Sequence, residues 1–304
     1  MDNRSEVRAF LSSRRAKVSP EQVGIPAYGS RRVAGLRRGE VAALAGVSVE
    51  YYTRLERGNL AGASDGVLDA IARALRLDDT ETAHLHHLAR AAGRPAARPR
   101  REKAPEIRPA IRRMLDSMTG VPAFLRNHRF DILAGNALGL ALYAPMVTAS
   151  PARPVNSMRF MFLDPHAQAF YAQWPQVARS AVAALRTAAA RHPDDRQLMN
   201  LIGELSMRSE PFRGWWAAQD VYVHRHGTKR YSHPAIGELE LAFEVLELAG
   251  DDNLTVVTYS AEPGTPSGDG LELLATWAAT SRDHSGQGAL AGRGDGGVPD
   301  VRLT

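Results

Sequence analysis

The sequence predicts a multidomain chain, in which an all-α domain of five helices is followed by an α+β domain with an antiparallel sheet. Three observations lead to this fold class. The length of 304 residues is large for one domain. Apolar residues recur every three or four positions through much of the chain, but alternate with polar residues from about residue 220. A proline-rich, basic stretch at residues 93–105 predicts a linker between two domains.

Five helices are predicted in the first domain, residues 1–92, from the spacing of apolar residues and from the breakers between them. They cover residues 7–17, two short segments within 37–58, residues 64–75 and residues 78–92. The glycines and prolines of residues 18–35 predict an extended connection after the first helix. Gly46 separates the two short helices, because glycine adopts the left-handed backbone that ends a helix abruptly.

Each of the two short helices is predicted to bury one face. The buried positions are Leu36, Val41, Leu44 and Ala45 for the first helix, and Val47, Tyr52 and Leu55 for the second. Ser48 can cap the second helix by accepting a backbone N–H. The other positions of that helix form one exposed stripe, made of Val49, Glu50, Thr53, Arg54 and Arg57. The pattern is typical of a helix-turn-helix, whose second helix enters a DNA groove.

The same residues resemble a known family. The run from Glu40-Val41-Ala42 through Gly46-Val47-Ser48 and Leu55-Glu56 to Gly58 resembles the lambda-repressor-like, xenobiotic-response-element type of helix-turn-helix. This resemblance implies a phosphate contact by Arg38. It implies contacts to bases or adjacent phosphates by Ser48, Val49, Glu50 and Arg54. An ordinary helical hairpin with a charged outer face is the alternative, but it would leave the surrounding arginines unexplained.

Side-chain chemistry predicts how the exposed stripe would read DNA. Arg54 can donate two hydrogen bonds to guanine, and Glu50 can accept one from cytosine. Val49, or the methyl group of Thr53, can contact a thymine methyl. Three further arginines are predicted to contact phosphates, which position a protein on DNA without specifying sequence: Arg31, Arg32 and Arg37.

Glu56 is predicted to have a structural role. It is an acid at the C-terminal end of the second short helix, where the helix dipole disfavours negative charge, so a compensating partner is expected. In lambda-repressor-like domains this glutamate pairs with an arginine of the first helix. The resemblance places Arg14 or Arg15 at the position of that partner.

The charge distribution indicates that only the front of the chain meets a polyanion. Residues 1–103 contain 19 Lys and Arg against 12 Asp and Glu, whereas residues 104–304 contain 19 against 21. Clustered basic residues are favourable where they neutralise phosphates. We therefore expect double-stranded DNA as the partner of the first domain, read by a symmetric homodimer on two half-sites about one helical turn apart.

Several classes of protein are disfavoured by what the sequence does not contain. There is no cysteine, which excludes disulfides, thiolate metal sites and thiol redox sensing. No apolar run approaches the length of a membrane span, and the first residues do not resemble a signal peptide, so we expect a cytoplasmic protein. None of the short catalytic motifs of metalloproteases, serine hydrolases or P-loop enzymes occurs. An enzyme is not predicted.

The second domain, residues 106–281, is predicted to combine a hairpin, helices and a meander of strands. The hairpin covers residues 122–126 and 130–134, and a helical middle follows. Strands are then predicted over residues 221–226, 228–232, 238–248 and 254–260, with breaks that include Gly227, and a helix over residues 271–279. The last segment, residues 282–304, contains six glycines and is predicted to be disordered.

This order of elements is that of a PAS domain, and three stretches resemble the MmyB-like ligand-binding domain in detail. They are residues 208–216, 226–239 and 257–267. The resemblance implies a transcription regulator, typical of actinobacteria, whose PAS-like pocket holds a fatty acyl chain. The chain departs from the family at the end of the second strand, where Gly135 rather than tryptophan precedes Asn136. We therefore expect a larger or differently shaped cavity.

Six aromatic residues are candidates for the walls of that pocket, although each is also a reasonable core residue: Phe124, Phe130, Phe160, Phe162, Trp174 and Phe243. A fatty-acid-like effector in the cavity would alter the spacing of two DNA-binding heads. No other cofactor is predicted. Two alternatives remain open, a haem- or flavin-binding redox sensor and a module for dimerisation or partner docking alone.

Two groups of histidines are candidate metal ligands. His84, His86 and His87 lie one and two residues apart, so they do not share a helix face, and a solvated helix surface is the favoured interpretation. The second group surrounds a predicted hairpin, where strand and turn roles are favoured: His224, His226 and His233. No metal site is predicted.

Overall fold

The protein is described by a computed structural model, which covers residues 3–25, 35–93, 107–150, 153–219, 226–251 and 253–291. Two of the phosphate candidates, Arg31 and Arg32, lie outside these residues. So do His224, nearly all of the predicted linker and residues 292–304 of the predicted tail.

The first domain contains the five predicted helices: α1 (Asn3–Lys17), α2 (Arg38–Ala45), α3 (Val49–Glu56), α4 (Asp65–Ala74) and α5 (Asp79–Ala92). A short 3-10 turn, Glu21–Val23, follows α1. The helices surround one core, in which the largest fully buried apolar side chains include Phe10, Tyr52 and Ile71. The prediction of an all-α domain is confirmed, and its first helix begins four residues earlier than predicted.

The turn between α2 and α3 forms as the sequence predicts. Gly46 adopts a left-handed backbone with φ of 67°, and its N–H bonds the carbonyls of Ala42 and Ala43 at the end of α2. The prediction that Leu44 is buried is wrong, because this side chain is 41% exposed. The buried residues of α2 are Val41, Ala42 and Ala45, so its buried face is centred near Ala45, and Leu44 lies about 100° away from that residue.

The second domain is an α+β structure of nine helices and six strands within the described residues. The helices are α6 (Pro109–Ser117), α7 (Ala137–Leu142), α8 (Ala144–Ala149), α9 (Ser157–Leu163), α10 (His166–Phe170), α11 (Trp174–Arg191), α12 (Arg196–Arg208), α13 (Glu210–Ala217) and α14 (Pro266–Ala291). The strands are β1 (Ala123–Asn127), β2 (Asp131–Gly135), β3 (Val155–Asn156), β4 (His226–His233), β5 (Gly237–Glu247) and β6 (Leu254–Ser260).

The strands form one antiparallel sheet in the order β3-β2-β1-β6-β5-β4. The N-terminal hairpin and the C-terminal meander are joined by pairing of β1 with β6, in which Leu125 lies opposite Val256. Phe124 belongs to the main core on one face of the sheet, whereas Leu125 belongs to a smaller cluster on the other face, together with Ile111 and Leu115 of α6. The centre of the sheet is therefore covered on both faces.

The structure corrects three predictions in this domain. Gly227 does not interrupt a strand, since β4 runs from His226 through it, and a Cβ at this position would lie only 3.3 Å from the ring of Phe243 on β5. The helix predicted over residues 271–279 begins at Pro266 and extends to Ala291, into the segment predicted to be disordered. Helix α6 lies in a region for which no helix was predicted. A proline at its first position starts it.

Candidate functional site

Among the residues that the structure describes, the stripe of α3 stays largely exposed. Val49 is 45% exposed, and Glu50, Arg54 and Arg57 are exposed. Together with Thr53 and Asn59 these side chains line a shallow concave surface. The guanidinium of Arg54 lies 4.7 Å from the centre of the Tyr51 ring, which holds the side chain over the helix surface. We refer to Val49, Glu50, Thr53, Arg54 and Arg57 as the recognition surface.

The N-termini of α2 and α3 flank this surface. The Ser48 hydroxyl accepts a hydrogen bond from the Tyr51 N–H at 3.0 Å and so caps α3, as predicted. Arg37 and Arg38 lie exposed at the start of α2, where the Glu40 carboxylate accepts from the Arg37 N–H at 2.6 Å. Exposed cations beside two helix N-termini make this edge of the domain suitable for phosphates.

A buried ion pair fixes α3 against α1. Glu56 accepts two hydrogen bonds from the Arg15 guanidinium, at 3.0 and 2.9 Å, and one from Arg38 at 3.2 Å. Burial alone would raise the pKa of Glu56, but the hydrogen bonds and charge of Arg15 and Arg38 lower it overall. Arg15 is therefore the partner, whereas Arg14 pairs with Glu81 at 2.7 Å.

The second domain contains a partly open cavity of about 670 Å³ between the sheet and the helices. Its volume lies in the usual range of small-molecule sites. We call it the aromatic cavity, because six of its lining residues are Phe124, Phe130, Tyr143, Tyr171, Phe243 and Tyr259. Methionines of α9 and small residues of α11, Met158, Met161, Val177, Ala181 and Ala184, complete much of the remaining wall.

Three cations line the aromatic cavity: Arg126, Lys229 and Arg179 of α11. The Lys229 ammonium lies 4.1 Å from the centre of the Phe243 ring and 5.8 Å from that of Tyr259. The Arg126 guanidinium lies 4.4 Å from the centre of the Phe130 ring. Burial lowers the pKa of Arg126 and of Lys229 below its ordinary value, and the charge of Arg126 also contributes to lowering the pKa of Lys229. No carboxylate lines this cavity in the part of the chain that the structure describes.

Tyrosine hydroxyls form the polar end of the aromatic cavity. The Tyr143 hydroxyl lies 2.6 Å from that of Tyr259 and 3.0 Å from that of Tyr231. Burial, and then the neighbouring tyrosines, raise the pKa of Tyr143 and Tyr231 well above its ordinary value, so these hydroxyls stay protonated. They are hydrogen-bond donors at any physiological pH.

A second cavity, of about 580 Å³, adjoins the first. The two share four lining residues: Arg126, Phe130, Ala184 and Val245. We call the second one the polar cavity, since its other walls include His128, Arg191, His192 and Glu247. Arg126 therefore stands at the boundary between an aromatic and a polar compartment.

The six pocket candidates divide into two groups. Phe124, Phe130 and Phe243 line the aromatic cavity. The other three pack in the solid part of the core: Phe160 against Phe170, and Phe162 and Trp174 against Trp215. The Trp174 indole N–H donates to the Met161 carbonyl at 3.0 Å. Trp174 therefore supports a lining residue without lining the cavity itself.

The glycine that precedes Asn136 does not enlarge the cavity. Gly135 lines neither cavity, and a Cβ there would lie 3.1 Å from the Leu140 side chain, which fills the space. Asn136 is buried and ties three segments together. Its side-chain oxygen accepts from the N–H groups of Ala123 and Gly139, and its amide donates to two carbonyls of the loop before β1. Its role is to position α7 against β1.

Comparison with known families agrees with this geometry. Residues 107–274 match the family model of the MmyB-like transcription regulator ligand binding domain, and residues 28–85 match that of a helix-turn-helix domain. The chain belongs to the MmyB-like transcription regulators. A comparison with curated proteins gave no match. A helix-turn-helix joined to a ligand-binding domain makes this MmyB-like protein a ligand-responsive, DNA-binding transcription regulator.

The two domains of the MmyB-like protein meet at a buried arginine. Arg186 of α11 has no exposed surface. It donates hydrogen bonds to Glu6 of α1, to the Trp216 carbonyl and, at 2.7 Å, to the Gln219 side chain. Arg14 of α1 donates to the Gln219 carbonyl. We call Glu6, Arg14, Arg186 and Gln219 the interdomain joint.

Three of the candidate histidines of the MmyB-like protein make contacts within the fold. His84 is 1% exposed and packs against Phe10, so its predicted place on a solvated surface is wrong. His86 pairs with Asp69 at 2.8 Å. His233 receives a hydrogen bond from the Ala235 N–H in the turn after β4. Among the described residues there is no group of three or more side chains able to hold a metal ion, and no helix long and apolar enough to cross a membrane.

Sequence reasoning missed the two cavity cations that lie on strands, Arg126 and Lys229. Strand alternation carries the signal that would have found them, because residues two apart share a face. Lys229 alternates with Tyr231 and His233 on the inner face of β4, and Arg126 shares its face of β1 with Phe124. Because Gly227 was predicted to break the strand, the alternation that begins at Lys229 on β4 was not recognised.

Proposed function

We propose that this protein is a sequence-specific transcription regulator in which α3 reads operator DNA and the MmyB-like domain senses a small hydrophobic, fatty-acid-like effector. One observation supports the proposal that α3 reads operator DNA. Four of the five residues of the recognition surface are exposed and Thr53 is half-buried, Arg37 and Arg38 flank the surface, and the opposite face of α3 is buried in its own domain. We expect it to act in the cytoplasm, where a bacterial chromosome lies.

Each side chain of the recognition surface has a separate proposed role. Arg54 would donate to guanine O6 and N7, and Glu50 would accept from cytosine N4. Val49 or Thr53 would contact a thymine methyl, and Ser48 would meet a base or an adjacent phosphate while it caps the helix. Arg37 and Arg38 would contact phosphates, as we predict also for two arginines outside the described residues, Arg31 and Arg32.

Arg54→Ala tests the reading of bases. Binding-site selection on genomic DNA first supplies the operator, and gel-shift titration then compares the operator with random duplex. We expect a loss of about 1–3 kcal/mol on the operator and a much smaller loss on random DNA. The matched control is Arg73→Ala, which removes one exposed arginine from α4. Equal losses of Arg54→Ala on both duplexes would contradict a base-reading role.

The aromatic cavity supports a hydrophobic effector. Its walls are largely aromatic and aliphatic, and the described residues leave it as an open volume rather than a solid core. This favours ligand sensing over a module that serves dimerisation alone. Native mass spectrometry of gently purified protein, with visible absorbance, is the direct test. A mass increment that matches an acyl compound supports the proposal. A haem or flavin absorbance spectrum would instead favour a redox sensor.

Helix α11 provides a physical route from the effector to DNA. Val177, Ala181 and Ala184 line the aromatic cavity, and Arg186 in the next half turn enters the interdomain joint. Further along, Ala190 of the same helix belongs to the core of the first domain. A shift of α11 caused by a ligand would therefore move the DNA-binding head. Coupling of about 1–3 kcal/mol would be enough to change operator occupancy.

We propose that the protein acts as a homodimer, since heads of this type read two half-sites about one helical turn apart. Light scattering of the free protein and of its operator complex measures the number of subunits. A single subunit on a full operator would contradict a symmetric dimer.

A further inference from the structure

We infer that α14 is the contact through which two copies of this chain associate, with one exposed stripe of the helix packed antiparallel against the same stripe of the second copy. The stripe consists of Leu273, Thr276, Trp277 and Thr280, and we call it the α14 stripe. The inference rests on the proposed function, because it names the surface that forms the proposed homodimer. The stripe lines neither cavity and lies outside the recognition surface.

Two large apolar side chains of the α14 stripe are exposed one helical turn apart. Leu273 is 60% exposed and Trp277 is 51% exposed, whereas Leu271, Leu274 and Ala278 bury the inner face of the same helix. Adjacent exposed apolar side chains mark contact sites more often than single ones do, and tryptophan is enriched among the residues that dominate binding energy. The stripe therefore has the composition of an interface centre.

The two threonines of the α14 stripe can be buried without leaving an unpaired hydroxyl. The Thr276 hydroxyl donates to the Glu272 carbonyl at 3.0 Å, and the Thr280 hydroxyl donates to the Thr276 carbonyl at 3.0 Å. Hydroxyls that bond the preceding turn need no partner from water or from another protein. Small side chains beside Leu273 and Trp277 also let a second helix approach closely.

The length of α14 favours a second copy as the occupant. Ala278 is the last buried residue described on this helix, yet the helix continues to Ala291, roughly 20 Å further along its axis. A helix gains most of its stability from packing one face. The α14 stripe lies near the midpoint of the helix, so an antiparallel pair centred on it places the second half of one helix along the first half of the other. One symmetric contact thus covers the stripe and gives both halves a neighbour.

The charges of α14 favour the antiparallel orientation. The α14 stripe contains no charged residue, and a two-fold contact places a surface against its own copy, so nothing in the stripe repels. Asp269 is exposed on the same face one turn before Leu273. Parallel helices would bring the two Asp269 side chains together, which is unfavourable. Antiparallel helices keep them at opposite ends, about 20 Å apart along the axis.

Sedimentation of the full-length protein without DNA, measured over a range of concentrations, tests the contact. The variants are Leu273→Glu and Trp277→Glu, which place two carboxylates in the centre of the paired stripes. The matched control is Met207→Glu, because Met207 is 78% exposed on α12. We expect the wild type and the control to form dimers of equal affinity, and each α14 variant to lose at least about tenfold in dimer affinity. Circular dichroism confirms that the variants are folded, as exposed positions allow.

Crosslinking tests the orientation. The chain contains no cysteine, so a single introduced thiol reports one position. A bismaleimide that spans about 10 Å, the usual separation of packed helix axes, should join two copies of Thr276→Cys but not two copies of Asp269→Cys. Equal crosslinking at both positions would overturn the antiparallel arrangement in favour of a parallel one.

The possible failures of the contact and of the proposed function differ. Dimers of unchanged affinity in both glutamate variants would overturn the α14 contact but leave the proposed homodimer intact. A wild type that is monomeric in solution, while two copies bind one operator, would have the same meaning. Deletion of residues 292–304 that converts a monomeric wild type to a dimer would show that this segment covers the stripe, and would overturn the contact between copies in the intact chain. A single copy on a full operator would contradict the homodimer itself.

Discussion

Glu56, a buried acid at the C-terminal end of α3, requires a cationic partner. The helix dipole disfavours an acid at the end of α3, and the residue is almost fully buried, so the chain must supply a cation. The resemblance limited the partner to Arg14 or Arg15. Adjacent residues on a helix point about 100° apart, so only one of them faces α3. That residue is Arg15, and Arg14 turns towards Glu81 and Gln219 instead.

Glu56→Ala should reduce the free energy of unfolding by about 3–5 kcal/mol, because it leaves the largely buried Arg15 without its carboxylate. Urea denaturation followed by circular dichroism measures the change. The double variant Arg15→Ala with Glu56→Ala should lose much less than the sum of the single variants. Additive losses would show that the two residues stabilise the domain independently.

His84 is a buried histidine that the protein keeps uncharged. Burial, followed by the charge of Arg186, lowers its pKa from 6.5 to about 3. Neither ring nitrogen has a hydrogen-bond partner among the described residues. Its place in the first domain rests on contact with Phe10, where the ring centres are 4.9 Å apart.

The protein should therefore lose stability as the pH falls below about 6.5, the value at which an unfolded histidine takes up its proton. Between that value and about 3 the unfolded chain binds more protons than the folded chain, so the free energy of unfolding falls with pH. His84→Leu should remove this part of the pH dependence and add about 1 kcal/mol at neutral pH. Thermal melts of the wild type and of His84→Leu across the acidic range measure this difference. Melting temperatures that fall in parallel with pH in both proteins would contradict the prediction.

Helix α3 is short, and its ends decide whether it forms. It has eight residues, which is too few for an isolated helix to be stable in water. Ser48 satisfies one N–H at its start, and Tyr52 and Leu55 bury its inner face. The recognition surface is therefore preformed by packing and capping rather than by helix propensity.

Ser48→Ala should cost about 1 kcal/mol of unfolding free energy, because the Tyr51 N–H loses its acceptor. Ser48→Asn should keep most of that stability, since asparagine is an equally good cap. Urea denaturation of both variants separates the cap from the proposed contact to DNA. A loss of stability in Ser48→Asn as large as that in Ser48→Ala would show that the cap is not the cause.

Strand register accounts for the charged end of the cavity. Antiparallel pairing places Gly227 opposite Phe243, and the missing side chain at Gly227 leaves room for that ring beneath Lys229. A shift of one residue would turn Lys229 to the other face of the sheet. Gly227, which the sequence predicted to break the strand, thus helps the Lys229 ammonium to reach the cavity.

Gln219 takes part in the contact between the domains. This residue has a positive φ of 58°, an uncommon conformation for a residue other than glycine. Its carbonyl accepts from Arg14 of the first domain, and its side chain accepts from Arg186 of the second. The conformation is maintained because both arginines hold it. Two hydrogen bonds of the joint therefore cross between the domains, from Arg14 to the Gln219 carbonyl and from Arg186 to Glu6.

Arg186→Met should separate the unfolding of the two domains. The methionine preserves much of the side-chain volume but removes the bond to Glu6 that crosses between the domains, and the bond to Gln219 within the second domain. We expect one cooperative transition for the wild type in scanning calorimetry and two for the variant. The control is Arg196→Met, which removes an exposed arginine of α12. A single transition in Arg186→Met at the wild-type temperature would show that the joint does not couple the domains.

The local patterns of the sequence were sufficient for the helices of the first domain, the turn at Gly46 and the cap at Ser48. Each depends on residues within a few positions of one another, so spacing and residue type contain the necessary information. The exposed stripe of α3 follows from the same local periodicity, and its position in the fold agrees with the prediction. The general division into an all-α and an α+β domain has the same basis.

Only the tertiary structure decided which distant residues meet. Phe160, Phe162 and Trp174 have the composition of pocket walls, but the packing of the helices places them in the solid core. Arg126 and Lys229 lie on separate strands that β6 and β5 bring into one sheet, and Arg186 meets Glu6 across 180 positions of the chain. Side-chain periodicity assigns a residue to a face, whereas the depth of a cavity and the partners of a buried charge depend on chain segments far apart in sequence.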